Sequence, residues 1–506
     1  MRKKVYSCTL KEETFTTLVQ QTLNRWHVPG MAIAVVDGDH TWAEGYGLAV
    51  MPSTPVTPST LFYAGSTTKA FTAAMLAKLT EDPVTKVRWD TPICQLIPGD
   101  FVLQDKCAGD QITVEDALSH RTGLPSHDHA SSRTSVRENV HQLAHLPLTA
   151  KIRTKFQYNN LMYVTASHII ETVTGRWLGD CLARSFWEPL GMANTYFSLN
   201  DAQSAPVTLA EGYYYSGYGG DPINDDSYRK VDWMTLEEVS GAGSVITNVL
   251  DYAKWVRAFL RPQTFVEKNI FRNSETAHQL WQPRTLIPGQ DLPFTGPRAY
   301  ALGWNTTVYR GAQIFEHTGG MNAFGARLLL VPELQFAVIT LANTSQTSNC
   351  AAQLLAFHLL DERLGVPGPQ RFDWDQKNWS LIQQEKKRVA DKINYRPSII
   401  LPLTLPLKEY AGTYFNPGYQ DITVYLDCEG ILHADRKNMT WPEKITFQHV
   451  SGEHFLMVSA HNEDFGAFCP EVYDAEFRLS VQGKPWTLGI AWERAMGGEK
   501  IWFEKI

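Results

Sequence analysis

The chain has 506 residues, 43% of them hydrophobic and 20% charged, a globular composition too long for one ordinary domain. A net charge of −7 and the lack of any long Lys/Arg block exclude nucleic acid and anionic membranes as main partners. No stretch approaches the roughly 18 uncharged apolar residues of a membrane span.

The opening Met1 to Cys8 is followed by Lys11, Glu12 and Glu13, where a secretory signal needs an apolar core. Cys8, Cys94, Cys107, Cys181, Cys350, Cys428 and Cys469 are scattered, odd in number and lack close metal-type spacing. Both observations predict a cytoplasmic protein with reduced thiols; Cys94 and Cys107 would pair only in an oxidising compartment. Nothing calls for a cofactor or a metal.

Thr9 to Glu12 reads as a capping box, and Phe15, Leu18, Val19, Leu23 and Trp26 then repeat at helical spacing up to His27-Val28-Pro29-Gly30. Residues 31–36 and 41–46, joined by Asp37-Gly38-Asp39-His40, predict a hairpin. An apolar helix follows from Ser66. Far downstream, residues 300–309, 312–317, 324–331 and 336–341 read as strands with short links, and short links mean an antiparallel sheet. A helix over about 349–364 packs on it. The expected fold is α+β, an antiparallel sheet flanked by helices and split between two ends of one domain, residues 1–365, with a mostly helical insertion from about 60 to 290.

Pro367-Gly368-Pro369 is a breaker, and a charged helical stretch over 374–393 marks residues 366–404 as a linker. From 405 to 506 the texture changes to eight short strands separated by Gly, Pro and Asp, which predicts a small all-β domain, a barrel or a sandwich.

Ser66-Thr67-Thr68-Lys69 places a serine three residues ahead of a lysine at the start of an apolar helix. On one helix face the hydroxyl and amine meet, and a lysine in a dry site can lose its proton near neutral pH. Ser227-Tyr228-Arg229-Lys230 repeats the spacing without an apolar run after it and reads as a solvated loop. Tyr158-Asn159-Asn160 supplies a phenol that a nearby ammonium would hold at a depressed pKa, suited to general-base work; Tyr414-Phe415-Asn416 is its counterpart in the β-rich tail. Glu316-His317-Thr318-Gly319-Gly320 closes a predicted strand with two glycines that admit close backbone approach.

The order Ser-x-x-Lys, Tyr-x-Asn, His-Thr-Gly, with Ser119-His120-Arg121-Thr122-Gly123-Leu124-Pro125, Glu188-Pro189-Leu190-Gly191-Met192 and Gly241-Ala242-Gly243 between them, resembles the serine β-lactamase and penicillin-binding-protein-like family, in its class C lactamase, DD-peptidase and esterase branch. The resemblance covers about residues 10 to 365. The tail, with Tyr410-Ala411-Gly412-Thr413-Tyr414, resembles the lipocalin-like barrel appended to many such hydrolases.

What the resemblance implies is an acylated Ser66, a proton-handling pair in Lys69 and Tyr158, and substrate contacts from Asn160, His317, Thr318 and Gly319. It also implies an oxyanion hole from the N–H groups of Ser66 and Gly320. Histidine at 317, where many lactamases have lysine, points away from a dedicated lactamase and toward peptidase, esterase or acyltransferase relatives, fungal polyketide-pathway acyltransferases among them. The expected activity is that of a serine hydrolase or acyltransferase acting through an acyl-Ser66 ester on a small-molecule ester, thioester or amide, as in secondary metabolism, with water or another alcohol taking the acyl group. The alternative is a binding protein that kept the fold.

His127-Asp128-His129 reads as a polar loop rather than a zinc site. Tyr213, Tyr214, Tyr215 and Tyr218 line a substrate cleft or cover core.

Overall fold

The hairpin near the N-terminus and the strands beyond residue 300 meet in one sheet. In the computed structural model, which describes residues 12–215, 228–289, 292–460 and 470–506, Gly30–Asp37 runs antiparallel to Phe336–Ala342, Met31 opposite Ala342 and Asp37 opposite Phe336. From edge to edge the nine strands are Thr54–Pro55, His40–Val50, Gly30–Asp37, Phe336–Ala342, Phe324–Val331, Ala312–Met321, Asn305–Tyr309, Arg298–Tyr300 and Thr285–Ile287.

Both faces of this sheet are covered, and the central strands are accordingly buried along nearly their whole length and mostly apolar. Along Gly30–Asp37, Met31, Ile33 and Val35 face a layer made by helices Glu12–Arg25 and Thr347–Leu364, through Phe15, Val19, Leu23, Leu355 and Leu359. Ala32, Ala34 and Val36 face the other way, into the core shared with helices Thr68–Thr80 and Val249–Leu260. Phe71 stacks on Trp255 there at 4.1 Å. Each large side chain buried this completely contributes roughly 1.5–3 kcal/mol.

The single strand expected over 300–309 is two, Arg298–Tyr300 and Asn305–Tyr309. The interruption has a steric cause. Gly303 takes φ +81° where the chain passes over the helix that carries Lys69, and a Cβ there would sit 2.8 Å from the Lys69 carbonyl oxygen.

The insertion is mainly helical and adds two small ribbons, Phe62–Tyr63 with Ile246–Thr247 and Gly212–Tyr215 with Tyr228–Val231. Tyr213 and Tyr214 are buried and Tyr215 stacks on His27 at 3.7 Å, so these rings cover core. Ser227, Tyr218 and the Thr9 capping residue lie outside the described residues. Cys94 and Cys107 are free thiols. Among the described residues no helix is long and apolar enough to cross a membrane.

Helix Trp374–Asn394 starts against the sheet domain, where Trp374 stacks on Phe357, and reaches the tail, where Val389 packs on Leu456 and Val472. The eight tail strands, from Gly412–Asn416 to Ile501–Lys505, close on themselves as a barrel whose first and last members pair. Closure leaves no free sheet edge. Tyr414, the counterpart of Tyr158 in spacing, is buried inside this barrel and donates to the Tyr410 carbonyl at 2.8 Å.

Candidate active site

Ser66 sits in the 3₁₀ turn Gly65–Thr67 that leads into helix Thr68–Thr80. That helix is buried nearly all round, and Ala70, Ala73, Ala74 and Ala77 let its neighbours approach closely. Lys69 is therefore fully enclosed. Its Nζ lies 2.9 Å from Ser66 Oγ, 2.7 Å from Asn160 Oδ1 and 2.9 Å from the Ala242 carbonyl oxygen. Burial pulls its pKa down to about 7, with the Asp128 carboxylate opposing that shift.

The adjacent asparagines divide their labour. Asn159 accepts from the Met162 N–H at 3.0 Å, satisfying an orphan donor at the start of helix Leu161–Thr174. Asn160 is thereby released to bridge Lys69 and Asp128, donating from Nδ2 to Asp128 Oδ1 at 2.9 Å.

Tyr158 shares a hydrogen bond with Ser66, and the Lys69 amine lies 5.0 Å from its ring centre. The expected depressed phenol pKa is not found. Packing against the His120 and His317 rings desolvates it, and burial pushes its pKa up despite the Ser66 hydrogen bond. At neutral pH Tyr158 is a protonated phenol and Lys69 is the group poised to lose a proton.

His317 is buried, donating from Nδ1 to the Thr318 carbonyl at 2.7 Å, so that Nε2 accepts from the Tyr300 hydroxyl at 2.9 Å. Burial and the nearby Lys69 charge pull it down to about 3, and the imidazole stays neutral. Thr318 and Gly320 are exposed on the same strand while Gly319 is buried.

Gly319 has no room for a side chain: a Cβ would lie 2.0 Å from the Ala64 carbonyl oxygen, and one on Gly65 would lie 2.8 Å from the Gly320 nitrogen. The strand is thus pressed against the Ser66 turn by backbone contact alone, which brings the Gly320 N–H beside Ser66. Gly319→Ala must part them. The expected outcome is a destabilisation of about 1–3 kcal/mol and slower acylation of Ser66, checked by thermal melts and ester-burst kinetics.

Asp128, read from sequence as part of a polar loop, is instead the carboxylate behind Asn160, and burial raises its pKa. Nothing in the local pattern marks it, because its partners are 32 and 59 positions away in the chain. His129 pairs with Glu443 at 2.9 Å, and these two with Glu471 bring ligand-type atoms within 4.8 Å of one another. The buried Arg436 guanidinium lies 3.6 Å from Glu443, and the carboxylates raise the His129 pKa against the effect of burial. An imidazolium and a guanidinium at one carboxylate form an ion-pair cluster and oppose a bound cation.

A cleft of about 480 Å³ opens beside Asn160 and Gly320. Asp128, Ser345 and Asn349 come from the sheet domain, and Trp441, Tyr473, Trp492 and Arg494 from the barrel. Both domains thus build its wall. Lys230, from the second Ser-x-x-Lys, instead pairs with Glu211 at the surface.

The sequence profile of the Beta-lactamase family matches residues 15–361, and that of a domain of unknown function, DUF3471, matches residues 398–505. The chain is 43% identical to unguisins hydrolase ungD' of Aspergillus campestris, over 98% of this chain and 92% of that protein. It is 42% identical to unguisins hydrolase ungD of Aspergillus violaceofuscus, over 97% and 90%. Among solved structures it resembles an octameric penicillin-binding protein homologue from Pyrococcus abyssi, with a TM-score of 0.62 and 20% identity over 97% of this chain and 99% of that one. It also resembles D-amino acid amidase from Ochrobactrum anthropi SV3, with a TM-score of 0.56 and 21% identity over 70% and 97%. These two likenesses establish the fold. Through the family match and the hydrolases it resembles over nearly their whole length, the chain belongs to the beta-lactamase family and is an enzyme of that fold with a closed β-barrel at its C-terminal end.

Proposed function

We propose that the protein is a serine hydrolase that forms an acyl ester on Ser66 and passes the acyl group to water, with a small-molecule amide or ester of the unguisin kind as substrate. One observation carries the reading: three oxygens surround the Lys69 amine. A neutral amine has two N–H bonds and one lone pair. With the N–H bonds committed to the Asn160 and Ala242 oxygens, the lone pair is left for the Ser66 hydroxyl.

In the proposed reaction Ser66 Oγ attacks the carbonyl carbon while its proton moves to Lys69 Nζ. Negative charge on the carbonyl oxygen is met by the Ser66 and Gly320 N–H groups. The C–N or C–O bond then breaks as the leaving group takes a proton from the Tyr158 hydroxyl, which Lys69 resupplies. Water repeats the sequence on the acyl ester and frees Ser66. Asn160 and Thr318 flank the bound acyl group, buried Gly319 holds its strand against the Ser66 turn instead of touching substrate, and His317, neutral and enclosed, supports Tyr158 from behind.

Hydrolysis rather than transfer to an alcohol is favoured by the two relatives named hydrolases, and the unguisins in their names suggest a role in secondary metabolism. A cytoplasmic place of action fits the free thiols among the described cysteines. Aromatic walls suit an organic ligand.

The test is incubation with a fluorophosphonate and, separately, with unguisins, followed by mass spectrometry. The expected results are an adduct on Ser66 and a hydrolysis product whose parts together weigh the unguisin plus one water. An adduct without that product moves the substrate to another amide or ester. No adduct on Ser66 overturns the mechanism.

A further inference from the structure

The barrel grips the loop that carries Asp128 on both sides of that residue. Glu493 is 8% exposed. One of its oxygens accepts from the Ser126 hydroxyl at 3.0 Å and the His127 N–H at 3.1 Å, and the other accepts from Ala495 N–H at 3.0 Å in its own turn. His127 Nε2 donates to the Pro147 carbonyl at 2.9 Å, which leaves Nδ1 to accept from the barrel's Tyr419 hydroxyl at 2.6 Å.

Past Asp128, His129 stacks on Trp492 at 5.2 Å and pairs with Glu443. Further on, Thr440 N–H donates to the Ser131 carbonyl at 3.0 Å and Arg133 N–H to that of Asn438 at 2.8 Å. His127 itself takes φ +46°, a left-handed conformation that a residue with a side chain holds only when its surroundings fix it. Asp128 follows directly, so the direction of its carboxylate is set by this clamp.

We propose that Glu493, on the second domain, is a positioning residue of the active site: by holding the Ser126–His127 backbone it aims Asp128 at Asn160, and through Asn160 it orients the Lys69 amine. This rests on the reading of Lys69 as the base and adds that the base is braced from the barrel. The groups facing Lys69 are the Asp128 carboxylate, the Tyr158 and Tyr163 phenols and the His120 and His317 imidazoles. Of these the Asp128 carboxylate is the acid whose ionised form stabilises the ammonium. Facing Glu493 are His127, Asp128 and Tyr419. None of these is a cation that could substitute for the hydrogen bonds to Ser126 and His127.

The experiment compares full-length wild type, Glu493→Ala, Glu493→Gln and Asp128→Asn, each first shown to melt cooperatively. Lys69 ionisation is followed by NMR of 13C-labelled lysine, assigned against Lys69→Met. Acylation of Ser66 by a p-nitrophenyl ester is followed across pH. Asp128→Asn is expected to lower the Lys69 midpoint, since it removes the charge that raises it. Glu493→Ala is expected to shift that midpoint in the same direction and to slow acylation about ten- to a hundredfold. Glu493→Gln, which keeps an oxygen for Ser126 and His127, should lose less. A folded Glu493→Ala with the wild-type Lys69 midpoint and acylation profile overturns the proposal. If wild type itself forms no acyl-Ser66, the mechanism above falls, while the Lys69 midpoints of the variants still decide the positioning role.

Discussion

Ser66→Ala should abolish covalent labelling and lower turnover by roughly four orders of magnitude or more, with the melting temperature nearly unchanged. The change removes one oxygen from a turn whose shape is held by the Gly319 and Gly65 backbone contacts and by Thr67 Oγ1 donating to the Ala64 carbonyl at 2.8 Å. Tyr158→Phe should be nearly as damaging, because in the proposed reaction the phenol proton is the one the leaving group takes. The double variant should be little worse than either single one, since parts of one catalytic unit fail non-additively. Lys230→Ala is the control: its exposed pairing with Glu211 is worth at most about 1 kcal/mol, and turnover should stay within about threefold. Steady-state kinetics and intact mass check all four. Activity that survives Ser66→Ala would remove Ser66 from the mechanism.

The second large effect is expected at Lys69. Acylation should rise with pH through a midpoint near 7, as the ammonium gives up the proton that blocks its lone pair. Lys69→Arg should eliminate that rise and nearly all activity, since a guanidinium keeps its proton throughout the range. Stability carries the same signature. The unfolded chain holds the Lys69 proton up to about pH 10.4, whereas the folded chain releases it near 7. Between those values the unfolded state binds more protons, so stability rises with pH across that window. Below pH 7 the buried ammonium carries its whole net penalty, desolvation less the Asp128 attraction, on the order of 5 kcal/mol. Denaturant melts of wild type against Lys69→Met should therefore diverge in favour of wild type from pH 7 to 10. Parallel curves would mean that Lys69 keeps an ordinary pKa in the folded protein.

Most of the architecture, and the groups proposed to react, were legible in the sequence. Short apolar runs bounded by turn residues, such as Met31 to Val36 ahead of Asp37-Gly38, mark strands from the chain alone, and the short links after residue 300 leave only antiparallel pairing. The change of texture after Pro367-Gly368-Pro369 likewise marks a tail of short strands, and the tail closes as a barrel. Ser66 and Lys69 were legible because one helical turn brings them together.

Tertiary structure decided what depends on distant neighbours. Whether Tyr158 is acidic or held protonated turns on rings from 120 and 317 that desolvate it. Where residues 300–309 break turns on a helix passing 2.8 Å from a hypothetical Cβ on Gly303. Asp128 looked like loop because its worth comes from Asn160 in front and from Glu493, whose carboxylate holds the preceding backbone from 366 positions away. Local pattern reports periodicity and turn chemistry; ionisation and aim are set by whatever the fold places within a few ångströms, and that is a property of the packed chain.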